Sequence, residues 1–281
     1  MININGELLA PHAATLSYRN RGFAYGDAVF ETIRVINGKI IFWEDHYFRL
    51  MASVRIMRME IPQSFSPEFL EEEILKLIRS NQLENAAAKV RFTVFRKEGG
   101  LYTPETNETG YVISAEALDS PFYLFNEASY EVELFKDHYL NSGLLSTLKT
   151  NNRSINVLGS IFAKENGYRN CLLLNEHKNV VEALNGNLFL VKGREIKTPP
   201  LSEGCLKGIT RGKLIEIIGL LEGYTLIETP ISAFELQKAD ELFITNVIAG
   251  VQPISKYRKK EFANTVAKEL LVKLNVKARL S

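Results

Sequence analysis

Cysteine is scarce in this chain, with Cys171 and Cys205 the two thiols in 281 residues. Two thiols cannot build a disulfide framework, and neither lies in a metal-ligand spacing, so a stapled secreted scaffold and a structural metal site are both excluded. No metal is expected. An excess of charge of one sign is also missing, since 34 basic and 33 acidic residues leave a net charge of +1. That balance provides no long-range field for nucleic acid or an anionic membrane, although a local patch can still receive a small charged molecule. No run of about 20 apolar residues occurs, and Met1 to Pro11 has no basic stretch followed by an apolar one. Gly-x-Gly-x-x-Gly between a strand and a helix is absent as well, which removes the main support for dinucleotide binding. The expectation is a cytoplasmic protein that acts on a small molecule, with no nucleic acid and no membrane as partner.

What is present is an ordinary globular composition of 46% apolar and 24% charged residues. A chain of this length fits one large or two modest domains, and two are expected. Asn5-Gly6 lies between Ile2, Ile4 and Leu8, Leu9, and Asn37-Gly38 lies between Val35, Ile36 and Ile40, Ile41. Both read as tight hairpin turns between antiparallel strands. From Glu44 to Met57, the residues Phe48, Leu50, Met51, Val54 and Met57 recur near helical spacing, and Ser66-Pro67 opens a second helix to about Asn81. Strands follow at Lys89 to Arg96 and Tyr111 to Ala117. The stretch Leu118-Asp119-Ser120-Pro121 breaks the pattern, because proline disfavours helix before it and removes a ladder donor. Domains are therefore expected over residues 1–119 and 120–281. The second domain reads as strands near Val132, Cys171 to Leu174, Leu188 to Val191 and Leu242 to Thr245, with helices at Ser154 to Asn166, Ile209 to Leu221 and the C-terminal tail. Lys256 to Lys260 reads as a solvated turn.

The most informative stretch runs from Glu182 to Arg211. Within it, Gly208-Ile209-Thr210 follows a glycine-bearing loop and opens a helix, so unpaired amides and the positive end of the helix dipole suit a phosphate. An isolated Gly-x-Thr is more often a plain helix start. Taken together, however, Glu182, Asn187-Leu188-Phe189, Thr198-Pro199-Pro200, Leu206 and Gly208-Ile209-Thr210-Arg211 resemble the signature of the class IV aminotransferases. Arg21-Gly22-Phe23-Ala24-Tyr25-Gly26-Asp27-Ala28-Val29-Phe30-Glu31-Thr32-Ile33-Arg34 is similar to the N-terminal signature of the same family, so the resemblance covers nearly the whole chain. It implies an α+β, two-domain fold type IV enzyme, with a small α/β N-terminal domain and a larger C-terminal domain holding a distorted β-barrel. It further implies pyridoxal 5'-phosphate in the cleft between the domains, and a homodimer.

Residue roles follow from the resemblance. Lys149, in Leu148-Lys149-Thr150-Asn151-Asn152-Arg153, falls where the family has its Schiff-base lysine; an amine must be neutral to attack a carbonyl carbon, and once released it serves as general base at the substrate Cα. Glu182 stands against the pyridine nitrogen and keeps it protonated, since an opposite charge raises its pKa. Leu206 packs on a face of the ring. Arg49 matches the phosphate-binding arginine, and a guanidinium suits phosphate better than an ammonium does. Gly208, Ile209 and Thr210 are the backbone side of the phosphate site, and Asn187, Asn246 and Val247 complete the cofactor set. Leu184 is a departure, standing where the family usually carries a small residue. Tyr25, Arg34, Arg96 and Asn152 are the candidate substrate residues, with Arg91 and Lys97 as further cations. Alternation along Lys89 to Arg96 places Arg91 and Arg96 on opposite faces, so at most one of those two meets the substrate. Taken singly, each residue also has a plainer reading as a surface lysine, a strand-end glutamate or a core leucine.

The step after loss of the Cα proton decides the reaction. Reprotonation on the cofactor gives amino transfer, whereas expulsion of a β-substituent gives a lyase. In this family the lyase is 4-amino-4-deoxychorismate lyase, which releases pyruvate and forms 4-aminobenzoate for folate. Branched-chain members carry a tyrosine five positions after the lysine, where this chain has Ser154, and D-amino acid members carry a histidine where it has Glu98. Val247 stands where transaminases often present a threonine hydroxyl. These departures favour the lyase, with an amino-acid transaminase using 2-oxoglutarate and glutamate as the alternative. A non-catalytic binding homologue is the rival of another class.

Overall fold

The computed structural model describes all 281 residues, which fall into two compact units, one of Met1–Phe122, Lys149–Asn152 and Ser281, the other of Tyr123–Leu148 and Arg153–Leu280. The first unit contains β1 (Ile2–Ile4), β2 (Glu7–Leu9), α1 (Arg21–Ala24), β3 (Ala28–Ile36), β4 (Lys39–Ile40), α2 (Trp43–Ile56), α3 (Pro67–Ser80), β5 (Ala87–Arg96) and β6 (Thr109–Leu118). Its strands form one antiparallel sheet in the order β2-β1-β6-β5-β3-β4. Both Asn-Gly hairpins form, with φ of 51° and 91° at Asn5-Gly6 and 49° and 72° at Asn37-Gly38. Those left-handed pairs suit a type I′ turn, which asparagine and glycine tolerate best.

Strict alternation sorts the side chains of this sheet into two faces. Val29, Ile33 and Val35 of β3, Val90, Phe92 and Val94 of β5 and Ile113 of β6 pack on Leu50, Met51 and Val54 of α2 and on Leu70, Ile74, Leu77 and Ile78 of α3. Ser66 caps α3 by accepting from the Phe69 N–H, and Pro67 takes its first position. The opposite face carries Phe30, Thr32 and Arg34 of β3 directly across from Thr93, Arg91 and Lys89 of β5. Phe92 is fully buried, and Phe92→Ala is expected to lower the free energy of unfolding by about 3–5 kcal/mol. Chemical denaturation checks this, and a loss under about 1 kcal/mol would be incompatible with a ring packed on all sides.

The second unit contains β7 (Glu131–Leu140), α4 (Ser154–Glu165), β8 (Asn170–Asn175), β9 (Asn179–Ala183), β10 (Gly186–Lys192), β11 (Glu195–Thr198), α5 (Ile209–Gly219), β12 (Thr225–Glu228), β13 (Ile231–Ser232), α6 (Ala233–Lys238), β14 (Glu241–Asn246), β15 (Gly250–Ile254), β16 (Lys256–Tyr257), β17 (Lys260–Glu261) and α7 (Thr265–Leu280). Its eleven strands make one branched sheet along β12-β11-β10-β9-β8-β7-β16-β17, with β14 and β15 leaving at β10 and β13 set against β9. Strands β8, β10 and β14 are buried nearly end to end. Burial on both faces explains why they read as continuous apolar runs and not as alternating ones. Phe189 and Phe243 lie opposite each other on β10 and β14, their rings stacked 5.2 Å apart and within 6° of parallel.

The segment Lys256 to Lys260 turns at exposed Arg258 and Lys259, as expected, but its flanks are paired. It is a β16–β17 hairpin in which Tyr257 is fully buried and Lys256 pairs with Glu131 at 3.0 Å. One buried aromatic among lysines leaves no periodicity from which this could be read. Both cysteines are buried and reduced. No helix is long and apolar enough to cross a membrane.

Candidate active site

In the first unit the lysine segment docks along the start of β3. Phe30 N–H donates to the Lys149 carbonyl at 2.8 Å, Asn151 N–H donates to the Ala28 carbonyl at 3.0 Å, and Thr150 bridges Val29 between them. The Lys149 backbone is thereby held against β3 by one isolated bridge and two hydrogen bonds. Its Nζ stands 4.6 Å from the centre of the Phe30 ring. Arg91 stacks its guanidinium on that same ring at 3.6 Å and donates from Nη2 to Asn151 Oδ1 at 3.2 Å. Asn152 donates from Nδ2 to the Gly26 carbonyl at 3.4 Å. Gly26 has φ +64°, and a Cβ there would fall 2.4 Å from Asn152 Oδ1, so glycine is required on both counts. Tyr25 is partly exposed and rests between Arg21 and the Tyr102 ring, 4.8 Å and 5.8 Å away.

The phase of Arg96 on β5 sets its surroundings. The arginine lies in register with Phe92 and Val94 on the helix-covered face, where it donates to Asp27 at 2.8 Å, to the Met57 carbonyl at 2.8 Å and to Asn107. Arg21 reaches the same Asp27 carboxylate at 2.9 Å and donates to the Gly99 and Leu101 carbonyls. Arg34 is buried and donates to the carbonyls of Ser120 and Phe122. Arg34 and Arg96 therefore hold backbone in place, while Arg91 is the arginine that shares a ring with Lys149.

Arg49 lies one helical turn after His46 on α2, and both face Glu31 of β3. Arg49 Nε donates to Glu31 Oε1 at 2.7 Å, its Nη2 donates to Oε2, and His46 Nδ1 lies 2.7 Å from Oε2. Burial pushes the Glu31 carboxyl pKa up, but the Arg49 guanidinium and the His46 bond overcome this and hold it at about 2. Burial also lowers the His46 pKa, in part against the pull of Glu31. At neutral pH the ring is therefore neutral and donates its Nδ1–H to an ionised carboxylate.

The second unit collects the Glu182 to Arg211 signature. Glu182 is buried, and its Oε2 accepts from the Leu206 N–H at 2.8 Å. Asn187 Nδ2 donates to the Leu206 carbonyl at 2.8 Å. The backbone of Leu206 is thus gripped on both sides of the residue. A Cβ on Gly208 would lie 2.1 Å from Asn187 Oδ1, so the loop closes only around glycine. Gly208 caps α5, and Ile209 and Thr210 are its first two residues. Arg211 points the other way, donating to the Pro199 carbonyl at 2.9 Å and pairing with Glu228. It ties the Thr198-Pro199-Pro200 turn to α5. Leu184 packs into the space left by Gly159 of α4, where a Cβ would lie 2.5 Å from Leu184 Cδ2. The larger residue at that position is matched by a missing side chain opposite. Asn246 Oδ1 accepts from the Ile248 and Ala249 N–H groups at 3.0 and 2.8 Å, folding the turn after β14, and the Val247 carbonyl accepts from Tyr123.

Glu31, His46 and Phe30 were not singled out in the sequence. A signal for Glu31 was available: it occupies a core-phase position between Val29 and Ile33, where a charge is expected only if paired. Phe30 lies in the N-terminal signature, but no local pattern gave it a role, because its contacts are made to a segment more than a hundred residues away.

With this geometry in hand, comparison with known proteins places the chain. The amino-transferase class IV family matches residues 28–257. The chain is 30% identical over 276 residues to the proposed branched-chain-amino-acid aminotransferase of Methanocaldococcus jannaschii, covering 98% of this chain and 94% of that one. It is 30% identical over 262 residues to the D-alanine aminotransferase of Staphylococcus aureus, covering 91% and 88%. Among solved structures, the branched-chain amino acid aminotransferase of Escherichia coli superposes with a TM-score of 0.85 at 26% identity, covering 96% of this chain and 91% of that one. The chain belongs to the class IV amino-transferases, enzymes of fold type IV that depend on pyridoxal 5'-phosphate.

Proposed function

We propose that the protein holds pyridoxal 5'-phosphate through Lys149 and withdraws the Cα proton of an amino-acid substrate. The observation that carries this reading is the start of α5. Thr210 Oγ1 is buried there without a hydrogen-bond partner. The N–H groups of Ile209 and Thr210 have no acceptor within their own helix, and together with the hydroxyl they match the oxygens of a phosphate. The family resemblance assigns Arg49, Asn246 and Val247 to the same phosphate, with Arg49 supplying positive charge. Glu182 partners the ring nitrogen and Leu206 a ring face, with Asn187 holding the Leu206 backbone. The cofactor provides an electron sink for the charge released at Cα. Lys149 Nζ takes the proton and returns it, on a backbone that the docked segment keeps from drifting. Arg91 binds a substrate carboxylate, with Tyr25 and Asn152 lining the approach, and Arg34 and Arg96 act through the backbone they hold.

Within that chemistry, Ser154, Glu98 and Val247 support a 4-amino-4-deoxychorismate lyase. Ser154 is exposed at the first position of α4 and Glu98 is exposed just after β5, so neither supplies the tyrosine or histidine of the other subgroups. The relatives are aminotransferases by name, which supports a second reading, amino transfer, for which 2-oxoglutarate is the acceptor to test. A paired assay separates them, following 4-aminobenzoate from enzymatically generated aminodeoxychorismate beside glutamate from a panel of amino acids with 2-oxoglutarate. Aminobenzoate alone is expected. Broad amino transfer without it would overturn the lyase reading and leave Ser154 and Glu98 as poor guides. The exposed apolar side chains Leu144, Leu145, Val157 and Ile161 support a homodimer, and the low cysteine content supports a cytoplasmic setting.

A further inference from the structure

A buried charge on the apolar face of a sheet calls for an explanation. Glu31 occupies the β3 position between Val29 and Ile33, with only 2% of its side chain exposed, and it draws His46 and Arg49 in with it at 1% and 9%. Burying three polar groups there costs desolvation that a leucine at residue 31 would avoid, and such groups contribute little stability beyond what an apolar substitute would. Stability is thus a poor account of the cluster. Its geometry suggests another: one carboxylate accepts from Nε and Nη2 of Arg49, fixing the guanidinium plane, and is itself held by the His46 ring. The neighbouring residue on the strand, Phe30, holds the Lys149 carbonyl with its N–H. Successive strand residues point to opposite faces about 3.3 Å apart along the chain, so β3 sets the amine from one residue and the arginine from the next.

We propose that Glu31 is a positioning residue for the cofactor phosphate, acting through Arg49 and steadied by His46. The inference rests on the reading of Arg49 as a phosphate ligand. A pre-oriented guanidinium loses less freedom when the phosphate arrives, at the cost of sharing its charge with the carboxylate. Glu31 therefore governs how tightly the phosphate is held, not the proton transfer at Lys149.

The test is equilibrium binding of pyridoxal 5'-phosphate and of pyridoxal, which lacks the phosphate, to the full-length apoprotein. Wild type is expected to prefer the phosphorylated ligand, and Arg49→Gln to lose that preference; if Arg49→Gln keeps it, the phosphate reading of Arg49 fails and this inference goes with it. Glu31→Gln is expected to weaken pyridoxal 5'-phosphate about tenfold or more, the scale of a lost hydrogen bond to a charged group. Pyridoxal binding should not change, and adding Glu31→Gln to Arg49→Gln should cost nothing further. Unchanged phosphate-ligand binding in Glu31→Gln, with the preference lost in Arg49→Gln, would overturn the role of Glu31 alone. Equal weakening of both ligands would do so too, since a scaffold defect does not discriminate. Should Glu31→Gln fail to fold, Glu31→Asp keeps the charge and withdraws the carboxylate by one methylene. Selective weakening of the phosphorylated ligand is then expected, and no change in either ligand would refute the proposal.

Discussion

Lys149→Ala is expected to lower turnover by at least about 10³-fold, the scale of a lost general base, and to abolish the absorbance of covalently held cofactor. The variant should still fold, because the two hydrogen bonds that dock this segment run from Phe30 N–H to the residue 149 carbonyl and from Asn151 N–H to Ala28. Neither uses the lysine side chain. Loss of activity would therefore report on Nζ and not on a displaced strand. The stacking of both Lys149 and Arg91 on Phe30 leaves Arg91 in place in the variant, so a substrate carboxylate should still be recognised. Normal kcat in Lys149→Ala would refute the assignment outright. Weak substrate binding alone, with kcat retained, would move the lysine from chemistry to recognition.

Glu182→Gln should reduce kcat on the order of 10²-fold while the protein still takes up its cofactor, equivalent to about 2.7 kcal/mol of transition-state stabilisation. Glutamine has nearly the same shape, and its amide oxygen can replace Glu182 Oε2 as acceptor for the Leu206 N–H. The loop to Gly208 is thus kept, and what is lost is the negative charge. Without that charge a protonated ring nitrogen is less favoured, and the electrons released at Cα have a poorer sink. Steady-state kinetics with parallel cofactor titration checks this. Unchanged kcat would contradict the role, and loss of cofactor with kcat recovered at saturation would show that Glu182 only shapes the loop. The contrast with Glu31→Gln is useful, since that substitution is expected to change affinity for the phosphorylated ligand and leave the proton-transfer step alone.

Much of the framework could be read from local pattern. Asn5-Gly6 and Asn37-Gly38 specify their hairpins because the turn needs left-handed backbone at both positions. The helix from Pro67 was announced by the Ser66 cap, and alternation along β5 correctly separated Arg91 from Arg96 onto opposite faces. Alternation could not say which face is open. That depends on α2 and α3 covering Val90, Phe92 and Val94, and only then does Arg96 fall on the closed side with Asp27. Leu184 shows the same limit: as a departure from the family pattern it could be noticed, but its match to Gly159 is a packing fact between residues 25 positions apart.

By itself, then, the sequence determined the class of chemistry and the local elements, because turn geometry, helix caps and a dense signature between Glu182 and Arg211 act over a few residues and need no tertiary partner. Tertiary structure alone decided which residues of that set lie against one another. Glu31 meets Arg49 across a strand and a helix, and Lys149 meets Phe30 and Arg91 on a segment that returns from beyond residue 140 to the first sheet. Such meetings depend on loop closure and on burial from several directions at once, so no local pattern encodes them. For the same reason Arg211, part of the signature, proved to hold the Pro199 turn, and Glu31, within the N-terminal signature but given no role there, proved to hold Arg49.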